Sequence, residues 1–152
     1  MLTKFDVLAA GCTVDGKIMG TGERRYRFRA PDKTAYTRTE AGKDGAWQNA
    51  HHHKGLLETY VVQTGWIAFA ESCDGMRVVG IFGKGAVVTS RPLIDHNVYL
   101  PAGSVIHTVQ HGKAVGNPEN KNNDWYAADT AFDEWSKGLT LENIACMTNV
   151  RR

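Results

Sequence analysis

Residues 45–65 read Gly-Ala-Trp-Gln-Asn-Ala-His-His-His-Lys-Gly-Leu-Leu-Glu-Thr-Tyr-Val-Val-Gln-Thr-Gly. His51 and His53 are two apart, and side chains alternate along an extended strand, so both project from one face while His52 projects from the other. Glu58 opens the next extended run, after a short connection over Lys54–Leu57 that lets the chain fold back beside the histidines. Two imidazoles and a carboxylate on adjacent strands suit Zn, Fe, Mn or Ni, and a third histidine from a distant strand would complete the set. A lone His-x-His is most often a solvated polar patch. A carboxylate in step with it is what points to a metal.

Outward from this stretch, the first three quarters of the chain hold short β-type runs parted by Gly, Asp and Pro. Arg24–Ala30 alternates, with Tyr26 and Phe28 on one face and Arg25, Arg27 and Arg29 on the other. Extended runs are predicted over Thr34–Glu40, Trp47–His53, Leu57–Gln63, Trp66–Glu71, Met76–Phe82, Ala86–Thr89, His96–Leu100 and Ser104–Val109. Thr64-Gly65 and Asp74-Gly75 read as tight hairpin turns, because glycine tolerates the positive φ such turns need. Many short strands at close spacing predict an antiparallel barrel or sandwich rather than a βαβ sheet. After His111 the character changes. Gly116–Asn123 reads as a polar loop; Phe132, Trp135 and Leu139 then fall at helical spacing, with Gly138 as a stop. Thr140 caps a last expected helix whose buried stripe is Leu141, Ile144 and Ala145.

The segment 45–65 resembles the first conserved motif of the cupin superfamily: Gly, five residues, His-x-His, three or four residues, Glu, six residues, Gly. Gly45, His51, His53, Glu58 and Gly65 fall on every fixed position. The second cupin motif, Gly, five residues, Pro-x-Gly, two residues, His, three residues, Asn, is similar to Pro101-Ala102-Gly103 followed by His107. One additional residue separates Gly103 from that histidine, Asp95 stands at the first Gly, and His111 stands at the Asn. The resemblance implies an all-β chain, a single cupin double-stranded β-helix (jelly-roll barrel) with short C-terminal helices. One domain over residues 1–152 is expected, with barrel core about 24–111 and a helical extension about 129–148. It also implies one divalent metal ion (Fe, Mn, Ni or Zn) held by His51, His53, Glu58 and His107.

Trp47, Asn49 and Tyr60 share the parity of these ligands on their strands and are expected to line the same cavity. His111 is read as ending its strand, exposed before Gly112, and His96 as a surface or turn residue. The Arg25, Arg27 and Arg29 stripe suits a phosphate or carboxylate clamp. Charges on one face of an edge strand also deter aggregation, and that is the favoured reading here. Cupins include dioxygenases, sugar isomerases and epimerases, decarboxylases and non-enzymatic binders, and the fold does not choose among them. The expected function is a metal-dependent enzyme on a small polar molecule, a sugar or a hydroxy or keto acid. Two alternatives stand beside it: a non-catalytic small-molecule binder, and a metal-free protein similar to nucleotide-sugar epimerases.

Composition narrows partners. With 152 residues, 42% apolar and 22% charged, the sequence matches a soluble globular chain able to bury its own core. A net charge of +2 without a like-charge run gives no reason to expect nucleic acid. Cys12, Cys73 and Cys146 are odd in number and far apart, so free thiols in a reducing compartment are expected. Leu8–Cys12 hints at a lipoprotein cleavage site, but Asp6 interrupts too short an apolar stretch. No run approaches a membrane span. A cytoplasmic protein with a small-molecule ligand is expected, with a homodimer contact through Leu57–Val62 and Trp66–Ala70.

Overall fold

The computed structural model describes residues 3–115 and 124–149. The polar loop expected over 116–123 lies outside them. Two antiparallel sheets face each other among the described residues. The first contains β1 (Thr13–Ile18), β2 (Arg24–Arg29), β3 (Ala35–Glu40), β6 (Leu56–Thr64), β9 (Val87–Ser90) and β11 (Val105–Gly112), in the order β1-β2-β3-β11-β6-β9. The second runs β12-β5-β10-β7-β8, with β4 also pairing β10. Its strands are β4 (Ala46–Trp47), β5 (His51–His52), β7 (Trp66–Cys73), β8 (Met76–Gly83), β10 (His96–Leu100) and β12 (Tyr126–Ala127). Among the described residues, three helices, α1 (Lys4–Ala9), α2 (Thr130–Lys137) and α3 (Leu141–Asn149), flank them.

Alternation along the strands builds two apolar layers. Between the sheets lie Tyr60, Val62, Ile67, Phe69, Val98, Leu100 and Ile106. The opposite face of the second sheet presents Ala68, Ala70 and Val79, whose small size lets Phe132 of α2 and Ile144 of α3 pack close. Asp129 caps α2, its carboxylate accepting from the N–H groups of Ala131 and Phe132, and Lys137 sits in the last turn. Thr140 caps α3 as expected, its hydroxyl accepting from Asn143 N–H. The buried stripe of α3 is narrower than expected: Ile144 is buried, whereas Leu141 and Ala145 are exposed.

The two turns expected to be hairpins differ. Asp74 (φ 52°) and Gly75 (φ 75°) close a true hairpin between β7 and β8. Gly65 does not, because β6 and β7 belong to different sheets. It turns a corner at φ 73°, and a Cβ there would run into Ser104. The apolar residues expected to form a dimer contact are largely spent inside the chain: Tyr60, Val62, Ile67, Ala68, Phe69 and Ala70 are buried in its own two layers. No helix among the described residues is long and apolar enough to cross a membrane.

Candidate metal centre

The strands deliver polar residues to one end of the space between the sheets and apolar ones to the other. Along β6 the inward positions run Glu58, Tyr60, Val62; along β10 they run His96, Val98, Leu100. His96 lies opposite His51 of β5, so two imidazoles face each other across a strand pair. His51, His53, Glu58 and His96 are all buried, and one ligand atom from each lies within 4.8 Å of all the others. Glu58 Oε2 is 3.2 Å from His51 Nε2, 3.4 Å from His53 Nε2 and 3.3 Å from His96 Nε2.

The second nitrogen of each ring decides what the first can do. His51 Nδ1 donates to the Asn49 carbonyl at 3.0 Å, His96 Nδ1 to that of Ile94 at 3.0 Å, and His53 Nδ1 to that of Asp124. A carbonyl only accepts, so each Nδ1 carries the proton and each neutral ring aims a bare Nε2 at the centre. Burial raises the Glu58 pKa, but the surrounding imidazole nitrogens outweigh it and hold the carboxyl well below its usual range. Burial likewise holds His51 below its ordinary value. It depresses His53 too, but the nearby Glu58 carboxylate prevails and raises it. A proton on one ring can therefore satisfy one nitrogen, while the other lone pairs still face an anionic oxygen. His53 Nε2 is buried with no hydrogen-bond partner. Three nitrogens and a carboxylate in this disposition fit a divalent first-row ion.

Tyr60 holds the carboxylate in place. Its hydroxyl donates to Glu58 Oε2, and Gln110 Nε2 donates to Oε1 at 2.9 Å. Burial, and then the Glu58 charge, push the Tyr60 phenol well above its normal pKa, so it stays a donor.

His107 is not part of this centre. It stands on the outer face of the first sheet, its Nδ1 2.7 Å from the Tyr36 hydroxyl and its Nε2 2.7 Å from Gln63 Oε1. The cause is the one additional residue after Gly103. The histidine position of the second motif falls on Ile106, which faces inward and is wholly buried, and the next residue must face out. The register does slip here, but the additional residue is Gln63 on β6: Val105 pairs Thr64 and Ile106 pairs Val62. β11 itself keeps its alternation. His96, expected at the surface, is fully buried and takes the fourth place. A signal for it existed, since His96 shares parity with Val98 and Leu100. His111 is exposed, as expected, with its Nε2 2.9 Å from the Thr59 hydroxyl. His52 faces away, bonded to Asp95 at 2.8 Å and stacked on Tyr126.

Trp47 also departs from expectation. Tyr99 lies opposite Trp47 and His96 opposite His51, so the strand carrying the histidines has one residue more than its partner between those two pairs. That irregularity reverses parity. Trp47 packs under α2 and α3, its Nε1 donating to the Leu139 carbonyl at 3.4 Å, and Gln48 turns toward the cleft instead. Asn49 is exposed at the cleft mouth, where Lys137 Nζ bonds it at 3.1 Å. Tyr60 lines the cleft.

Arg25, Arg27 and Arg29 require the largest correction. β2 is not an edge strand; it lies between β1 and β3, and the stripe faces the cleft that also contains His51, Glu58 and Tyr60. Arg25 is paired with buried Glu23, Nη2 to Oε2 at 2.6 Å and Nε at 3.0 Å. Burial, then repulsion from Arg29, lower the Arg27 pKa from its ordinary value.

No family model matches the chain, and no curated protein does. Solved structures do. CapF, the capsular polysaccharide assembling protein of Staphylococcus aureus, superposes with a TM-score of 0.56 at 15% identity, over 78% of this chain and 33% of its own. KdgF from Halomonas sp. gives 0.53 at 16% identity, over 65% and 86%. Bacillus subtilis oxalate decarboxylase, a protein with Mn(II) centres, gives 0.59 at 14% identity, over 88% and 37%. The chain thus spans about a third of the CapF and oxalate decarboxylase chains and most of KdgF. By its two facing antiparallel sheets and by these likenesses, the chain is a cupin in fold, with His51, His53, Glu58 and His96 gathered inside its barrel.

Proposed function

We propose that this chain is a metal-dependent cupin enzyme acting on a small polar molecule of the sugar or hydroxy or keto acid class. One observation carries the reading: three Nε2 lone pairs and one carboxylate oxygen converge in a buried space, with every Nδ1 committed to a backbone carbonyl. These four residues would hold a divalent ion and would leave room beside it for a substrate, as a catalytic site requires. A bound ion there would supply Lewis-acid polarisation of a substrate carbonyl or hydroxyl. The chain's own groups do the rest. Tyr60 and Gln110 orient Glu58, Trp125 stacks on His51 with ring centroids 5.5 Å apart, and the cleft opens beside them. Support also comes from the likeness in fold to a manganese decarboxylase.

The deciding experiment is elemental analysis of protein purified without a histidine tag, followed by a substrate screen under aerobic and anaerobic conditions. A near-stoichiometric first-row metal, lost in His96→Ala and retained in His107→Ala, is the expected result. Protein that binds no divalent ion even after reconstitution would overturn the reading.

A further inference from the structure

The charges of the cleft do not balance. Glu58 is committed to the three histidines and Glu23 to Arg25. Arg27 and Arg29 have no carboxylate within ion-pair distance among the described residues; Arg27 Nε has only the Thr37 hydroxyl, at 3.4 Å. Asp15 and Lys17 of β1 lie across from Arg27 and Arg25 in the ladder, so the flanking strand adds one charge of each sign and leaves the surplus standing. Both guanidiniums are half-buried, where an unmatched cation is costly.

Register shows what separates them from the centre. Across the inner face of the first sheet, one row runs Arg27, Thr37, Thr108, Tyr60, and the next runs Arg29, Ala35, Gln110, Glu58. Three strand spacings, roughly 14 Å along the sheet, divide each arginine backbone from β6, and long arginine side chains reach back across part of that. The floor between is built of short or hydrogen-bonding groups: Thr37, Ala35, Thr108 and Gln110. A molecule of a few carbons spans that floor.

Resting on the metal reading for its far end, we propose that Arg27 and Arg29 form an anion subsite that grips a carboxylate or phosphate group of the substrate. The opposite end of that molecule lies at the His51, His53, Glu58 and His96 centre. Guanidinium is the side chain built for this, since its planar fork matches both anions. Arg25 is a positioning residue: Glu23, itself held by Gln48 Nε2 at 3.3 Å, neutralises it and fixes the near edge of the stripe. A neutral sugar leaves two half-buried cations unmatched and is excluded as the preferred ligand.

Calorimetric titration with inorganic phosphate and with malonate, on metal-loaded and chelator-treated protein, tests this and tells the two anion types apart. Arg27→Gln and Arg29→Gln are each expected to weaken binding of the preferred anion about tenfold or more, the loss of one charge-assisted contact. Arg24→Gln, on the outer face of the same strand, should stay within about twofold. Arg27→Lys, which keeps charge but loses the fork, should fall between. Thermal melts establish that each variant folds. Equal affinities in all variants, or no binding of either anion to wild type, overturn the subsite. Metal content of the same samples separates the two readings. Protein that takes up no ion on reconstitution yet binds phosphate through Arg27 overturns only the metal reading; protein that holds its ion and ignores both anions overturns only this one.

Discussion

At the residue scale, two histidines on successive strands of opposite sheets make opposite predictions. His96→Ala should remove a ligand and reduce metal affinity by orders of magnitude, while His107→Ala breaks only a surface contact to Tyr36 and Gln63 and should leave it unchanged. Titration with Zn(II) or Mn(II) distinguishes them. Glu58→Gln keeps size and shape but removes the anion, and should weaken metal binding with a nearly unchanged circular dichroism spectrum. Tyr60→Phe acts one step back. It deletes the hydroxyl that orients Glu58, and such supporting contacts are worth about 10–100-fold in metal affinity. Legibility also divides at this scale. His51, His53 and Glu58 could be placed on one centre because their spacing within a continuous motif fixes their relative direction. His107 could not, since one residue too many in a strand turns a side chain through to the other face, and no local signal marks on which strand of a pair the slip falls.

Elements divide in the same way. The bounds of β10 were readable to the residue and those of the β7–β8 hairpin to within two residues, because apolar alternation marks the strands and Asp74-Gly75 marks the turn. β1, Thr-Val-Asp-Gly-Lys-Ile, was not: its composition is poor for a strand, and its order comes from pairing along β2, information that lies outside the segment. The stretch read as one strand over Trp47–His53 is two, β4 and β5, and that break carried Trp47 out of the cleft and Gln48 in. Asp124 is another element-scale device. Its carboxylate accepts from the N–H groups of Lys54, Gly55, Leu56 and Val115 at 2.9–3.2 Å, and its carbonyl orients His53. Burial raises its pKa, but these backbone donors outweigh that and lower it. A depressed folded pKa contributes stability that is present above the unfolded value, near 3.9, and is lost as pH falls through the folded one. Asp124→Asn should therefore cost about 1–3 kcal/mol at neutral pH, with a shallower loss of stability on acidification than wild type. Urea melts from pH 7 down to pH 3 read both; parallel curves for the two proteins would refute the clamp.

For the whole molecule, the question is whether the ion builds the barrel or uses it. Most of the apolar packing lies away from the histidines: Val62, Ile67, Leu100 and Ile106 plug the far end between the sheets, Phe69 stacks on His96 at the boundary, and Phe132 and Ile144 cover the outer face of the second sheet. Each side chain of this size contributes roughly 1.5–3 kcal/mol on burial, and none of that depends on the centre. The motif glycines support the same view. Gly45, at φ 67°, packs where a Cβ would come within 2.9 Å of the Leu100 carbonyl, and Gly65 fits against Ser104, so both fix strand crossings by backbone contact rather than through a metal. A structural zinc site, by contrast, rescues a domain too small to hold itself together. Chelation should accordingly leave the circular dichroism spectrum of a β protein while lowering the melting temperature. Ligand at about a hundred times its Kd stabilises by about 2.7 kcal/mol, and each kcal/mol is worth about 2–4 °C in a chain of this length, so a fall of roughly 5–10 °C is expected. Restoring the ion should restore the melt. Cooperative unfolding on chelation at room temperature would show that the ion is structural and would remove the main support for a catalytic role.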